Sequence, residues 1–146
     1  MQPAETAASL FAQGFSCSQA LLLAFAPRFG LDLSVAARIA SPFGGGMARQ
    51  GKVCGAVAGA IMVLGLQAGN ATAEDRASKE AMYERVRALM ACFADTHGST
   101  ECRQLTGYDL TTPEGYAAAT QAGVFTERCP AFVRTAAALA AEVANR

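Results

Sequence analysis

The chain has no tryptophan, one histidine and few charged residues, 16% of 146. Basic and acidic side chains balance at 12 each, so the formal net charge is zero. With no basic excess and no block of like charge, binding to nucleic acid or an anionic membrane by bulk electrostatics is excluded. The longest apolar run, Val53–Leu66, falls short of the roughly 20 residues that cross a bilayer, so no membrane insertion is expected. The N-terminus has no basic segment followed by an apolar core, so no secretory signal is expected and the expected compartment is the cytoplasm. Thiols are kept reduced there, and stable structural disulfides are not the default. No C-x-x-C, close cysteine pair or C-x-x-C-H occurs. These absences count against a thioredoxin-type motif and an ordinary zinc motif, and exclude covalent haem attachment.

Clean alternation of apolar and polar residues is also missing, whereas helix signals are frequent and well punctuated. The spacing predicts helices over about 3–13, 17–26, 34–40, 54–66 and 73–96, a short turn of helix near 100–105, and helices from 112 to 123 and from 129 towards the C-terminus. The expected fold is all-α, a single compact domain over 1–146 built as a bundle of about six or seven helices.

Five cysteines are present, and four of them fall where a helix should begin. Cys17 follows Ser16 in Ser16-Cys17-Ser18-Gln19, a capping-box pattern. Cys54 follows the glycine-rich stretch Gly44–Gly51 and opens the apolar run. Cys102 comes three residues after Ser99, past the expected stop at His97-Gly98, and Cys129 precedes Pro130, which favours the first helical position. A helix start offers unpaired N–H groups and partial positive charge, which favour thiolate over thiol. Lys52, Arg103 and Arg128 stand close in sequence to Cys54, Cys102 and Cys129, and a nearby cation acts in the same direction. The expectation is therefore a set of ionised, reactive thiols. Cys92 lies mid-helix and is expected to be structural.

The remaining signals are weaker. Gly44, Gly45 and Gly46 form a loop without a phosphate-binding signature, whose N–H groups can face a thiolate or an anionic ligand beside Cys54. Gly51, Gly55 and Gly59 recur every four residues and leave a bare stripe suited to close packing, including a homodimer through a Gly/Ala-rich helix face. The carboxylates Glu74, Asp75, Glu80 and Glu84 are interleaved with Arg76, Lys79 and Arg85 and read as a solvated face. His97 at a helix end reads as a cap rather than a catalytic base.

The string Cys54-Gly55-Ala56-Val57-Ala58-Gly59 reads CGAxxG. With Gly14-Phe15-Ser16-Cys17-Ser18-Gln19-Ala20 upstream, the glycine run and two later single cysteines, the chain resembles the redox-active C_GCAxxG_C_C family over nearly its whole length. The resemblance maps the four family cysteines onto Cys17, Cys54, Cys102 and Cys129 and leaves Cys92 outside. It implies redox activity without defining a reaction or an electron partner.

Three readings follow. In the first, a thiol-dependent oxidoreductase uses Cys54 as the attacking thiolate, with Cys17, Cys102 or Cys129 resolving it and an unidentified redox partner supplying or taking electrons. In the second, Cys17, Cys54, Cys102 and Cys129 bind an iron–sulfur cluster or another metal, matching the ligand number of a Cys₄ site. In the third, the chain is a non-catalytic helical scaffold whose cysteines fill core space.

Overall fold

In the computed structural model, which describes residues 2–144, eight α-helices follow one another. They are α1 (Pro3–Ala12), α2 (Cys17–Phe25), α3 (Leu33–Ala40), α4 (Gly55–Ala68), α5 (Arg76–His97), α6 (Cys102–Thr106), α7 (Pro113–Gln121) and α8 (Cys129–Ala144). The all-α class is as expected, and the count is one higher because the expected turn near 100–105 closes into α6. The last two residues of the expected C-terminal helix, Asn145 and Arg146, lie outside the described residues. Among the described residues no helix is long and apolar enough to cross a membrane.

Local chemistry sets most helix starts. At α2 the Ser16 hydroxyl accepts the Gln19 N–H while the Gln19 side chain accepts the Ser16 N–H, so two orphan donors are satisfied reciprocally. Asp32 caps α3 and Thr112 caps α7, each accepting a backbone N–H three residues on. The expected start of α5 at Ala73 is early: Asp75 accepts the Ser78 N–H and the helix begins at Arg76. Gly98, at φ 89°, ends it.

The core lies where α2, α4 and α8 meet, with α1 covering α2 and α8 on one side and α5 covering α4 and α8 on the other. Leu21, Leu22 and Phe25 of α2 bury against Val57, Val63 and Leu64 of α4 and Val133 of α8. The α2–α4 approach is close because α4 presents Gly55 and Gly59 to α2. A Cβ at Gly59 would come within 2.8 Å of the Ser18 carbonyl oxygen, and one at Gly55 would overlap the Cys17 sulfur. The expectation for this glycine stripe is close packing, with a second copy of the chain as one partner for it. Close packing does occur there, but α2 of the same chain occupies the Gly55/Gly59 face, and Gly51 lies before the helix against Arg103.

Candidate functional site

Between α3 and α4 the chain makes an unusual turn. Gly45, Gly46, Met47, Ala48 and Arg49 all adopt left-handed φ values of 69°, 70°, 65°, 51° and 67°. For residues with a Cβ this conformation costs about 1–2 kcal/mol each. Backbone hydrogen bonds pin the turn: Ala48 N–H to Pro42 O at 2.8 Å, Arg49 N–H to Gly44 O at 3.0 Å and Lys52 N–H to Gly46 O at 3.0 Å. Glycine is needed at position 46, where a Cβ would stand 2.6 Å from the Lys52 nitrogen and 2.8 Å from the Cys102 Cβ.

The turn delivers the chain into a short antiparallel pairing with the segment before α6. Cys54 N–H donates to Thr100 O and Cys102 N–H to Lys52 O, both at 2.7 Å, around the Val53–Glu101 bridge. Two cysteines far apart in sequence are thereby stitched side by side.

Cys17, Cys54, Cys102 and Cys129 all line one cleft of about 1160 Å³. Each stands at a helix start: Cys17, Cys102 and Cys129 are the first residues of α2, α6 and α8, and Cys54 is the N-cap of α4. The N–H groups of Gly45, Ser18 and Ala56 point at the Cys17 sulfur, and those of Ala56 and Val57 at the Cys54 sulfur. Cys54 and Cys102 are buried, while Cys17 and Cys129 are half-buried. Cys92 lies on α5 outside the cleft and is exposed, which corrects its expected role as a packing residue.

The electrostatics overturn the expectation of ionised thiols. Burial raises all four above the ordinary value of 9.0: Cys17 and Cys54 upward, Cys102 to about 11 and Cys129 to about 12. Removing a thiolate from water outweighs the helix-start N–H groups that would stabilise it. Charge on neighbouring sulfurs pushes the same way, since Cys17 raises Cys54, Cys102 and Cys129. Lys52 and Arg103 are exposed and do not offset the burial. Of these three cations Arg128 alone counters it, at Cys129, and its guanidinium is committed to the Leu105 and Thr106 carbonyls at the end of α6.

The loop glycines divide their tasks. Gly44 and Gly45 line the cleft, and the Gly45 N–H faces Cys17 rather than Cys54, the sulfur expected from sequence order. Gly46 is buried against Cys102. His97 does not line the cleft: its Nε2 pairs with the Thr135 hydroxyl at 2.9 Å and its ring packs between Phe93 and Phe132. Among the described residues no three cysteine, histidine or acidic side chains are grouped to hold one metal ion. The cysteines as arranged therefore do not fit a single-ion site.

Sequence reading missed the cleft's other walls. Phe15, Tyr116 and Phe125 reach into it, as do Arg49, inside the glycine-rich stretch, and Arg134. The only local hint was Phe15, an aromatic residue beside the capping box of α2.

A family model described as "Putative redox-active protein (C_GCAxxG_C_C)" matches residues 15–143. No curated protein and no solved structure matches the chain.

Proposed function

We propose that this chain, which belongs to the C_GCAxxG_C_C family of redox-active proteins, is a thiol/disulfide redox protein whose working pair is Cys17 and Cys54. The observation that carries the reading is that both sulfurs face the single Ala56 N–H within a cleft open to solvent. Cys17 keeps part of its surface exposed and Cys54 does not. An incoming disulfide therefore meets Cys17 first, and Cys54 resolves the mixed disulfide, the reverse of the roles expected from sequence. The balance is two thiols and one external disulfide giving the Cys17–Cys54 disulfide and two external thiols.

Exchange needs a thiolate, and burial makes one costly, so the attacking sulfur gives its proton to solvent in the cleft as the new bond forms, and the departing external sulfur takes one up. The N–H groups of Gly45, Ser18 and Ala56 are placed to stabilise charge developing on Cys17. Oxidation of the full chain with diamide, followed by non-reducing peptide mapping, tests the reading. The expected product is a Cys17–Cys54 cross-link, abolished by Cys17→Ser or Cys54→Ser. An unchanged count of oxidised thiols in both variants would refute it.

A second reading, an iron–sulfur cluster held by Cys17, Cys54, Cys102 and Cys129, draws on the four sulfurs sharing one cleft. Anaerobic purification with an absorption spectrum and iron analysis distinguishes it. Stoichiometric iron lost in any one of the four serine variants supports the cluster, and iron-free protein removes it.

A further inference from the structure

The cleft around the cysteines has more room and more aromatic surface than an exchange between two small thiols requires. Its volume of about 1160 Å³ is at or above the upper end of the range for small-molecule sites, about 300–1,000 Å³. Aromatic side chains reach it from well-separated parts of the chain. Phe15 precedes α2, lines the cleft and is 36% exposed. Tyr116 of α7 and Phe125 lie with ring centroids 5.2 Å apart at 33°.

Charge at the cleft has one sign. Among the described residues no carboxylate lines it, and its charged side chains are Arg49 and Arg134. Arg134 is paired with Glu5 at 3.1 Å. Arg49 makes no ion pair among the described residues, and its guanidinium sits 4.2 Å from the centroid of the Tyr116 ring. It is held there by the strained turn, at φ 67°. Strained backbone of this kind clusters at active sites and ligand clamps. A free cation stacked on an aromatic ring, beside further rings and without a competing acid, is complementary to a planar aromatic anion.

We propose that the cleft binds a flat aromatic anion of the quinone class, with its rings among Phe15, Tyr116 and Phe125 and its acidic substituent at Arg49. The inference rests on the dithiol reading above and names its electron partner. In the exchange, Cys17 and Cys54 give up two electrons and two protons and form one S–S bond. The two quinone carbonyl oxygens take both protons and become the hydroxyls of the hydroquinone. The neutral state of the buried thiols matches this stoichiometry, because each electron leaves with a proton.

The probe is anthraquinone-2-sulfonate, whose fused rings block addition of thiols to the quinone. Titration of the full chain, followed by fluorescence, is expected to show saturable one-to-one binding. Arg49→Gln should weaken it about tenfold, the loss of one charge-assisted contact, and Arg49→Lys should restore most of the affinity. The double variant Cys17→Ser, Cys54→Ser should bind the probe but exchange no electrons with it. Lack of saturable binding, or equal affinity in Arg49→Gln, overturns the proposal. Diamide separates the two failures. A Cys17–Cys54 disulfide formed by diamide in a protein that does not bind the probe defeats this inference alone. If no disulfide forms with either oxidant, the dithiol reading fails and the electron-exchange step of this inference falls with it.

Discussion

Cys17 and Cys54 both lie against the Ala56 N–H, which favours the charged form of each, although they begin different helices. The relationship exists because α2 rests on Gly55, where any larger residue would displace the Cys17 sulfur. The glycine of the CGAxxG string thus makes room for a sulfur. The strength of the redox reading depends on that contact, and several measurements bear on it.

Alkylation should follow exposure and ionisation together. With the reduced protein at neutral pH, iodoacetamide is expected to modify Cys92 first, since it is exposed, and Cys54 last, since it is buried with a raised pKa. Each unit of raised pKa lowers the thiolate fraction about tenfold. Time-resolved peptide mass spectrometry reads the order, and equal rates at Cys92 and Cys54 would contradict the enclosed cleft.

The midpoint potential of the Cys17–Cys54 pair should fall with pH by about 59 mV per unit, because two protons accompany two electrons. Both thiols lie above the ordinary 9.0, so the slope should persist through pH 9–10, where a solvated dithiol would already flatten. Equilibration in redox buffers with mass-spectrometric quantification measures it. Flattening below pH 9 would mean that the sulfurs ionise readily.

Raised thiol pKa values also set the alkaline limit of stability. In the folded chain Cys102 is pushed up to about 11 and Cys129 to about 12, against 9.0 when solvated. Their contribution to stability is fully present below pH 9 and is lost as pH rises towards 11 and 12, where the folded state must ionise too. Denaturant unfolding of the reduced protein should therefore show stability declining above pH 9. The decline should be shallower in Cys102→Ser and in Cys129→Ser, and identical slopes in all three would contradict the burial.

Two glycines of α4 should respond to alanine with opposite signs. At Gly59 a Cβ meets the Ser18 carbonyl oxygen at 2.8 Å, so Gly59→Ala is expected to cost about 1–3 kcal/mol by overpacking. At Gly65 nothing lies within 4 Å and the residue is exposed. Gly65→Ala should stabilise the helix by about 0.5–1 kcal/mol. Thermal and urea unfolding of the pair checks the α2–α4 contact.

Legibility followed the range of the interaction. The capping box at Ser16 and Gln19 could be read from four residues, and Gly98 ended α5 where a lone glycine should. Asp75 caps α5 past the expected start at Ala73, and only the Ser78 contact separates the two positions. Met47, Ala48 and Arg49 carry no sign of left-handed backbone, since side chains with a Cβ avoid it unless distant hydrogen bonds impose it. Arg49 was missed as a cleft residue for the same reason.

By itself the sequence determined the all-helical class and the placing of four cysteines at helix starts. Caps, prolines and glycine stops act within one turn and need no distant partner. Only the tertiary structure decided that those four sulfurs share a cleft and stay protonated. Meeting required α2 to cross α4 at Gly55 and Gly59 and residues 51–54 to pair with 100–103. Their charge state then followed from burial, which depends on all the surrounding chain and overrode the local helix-start field.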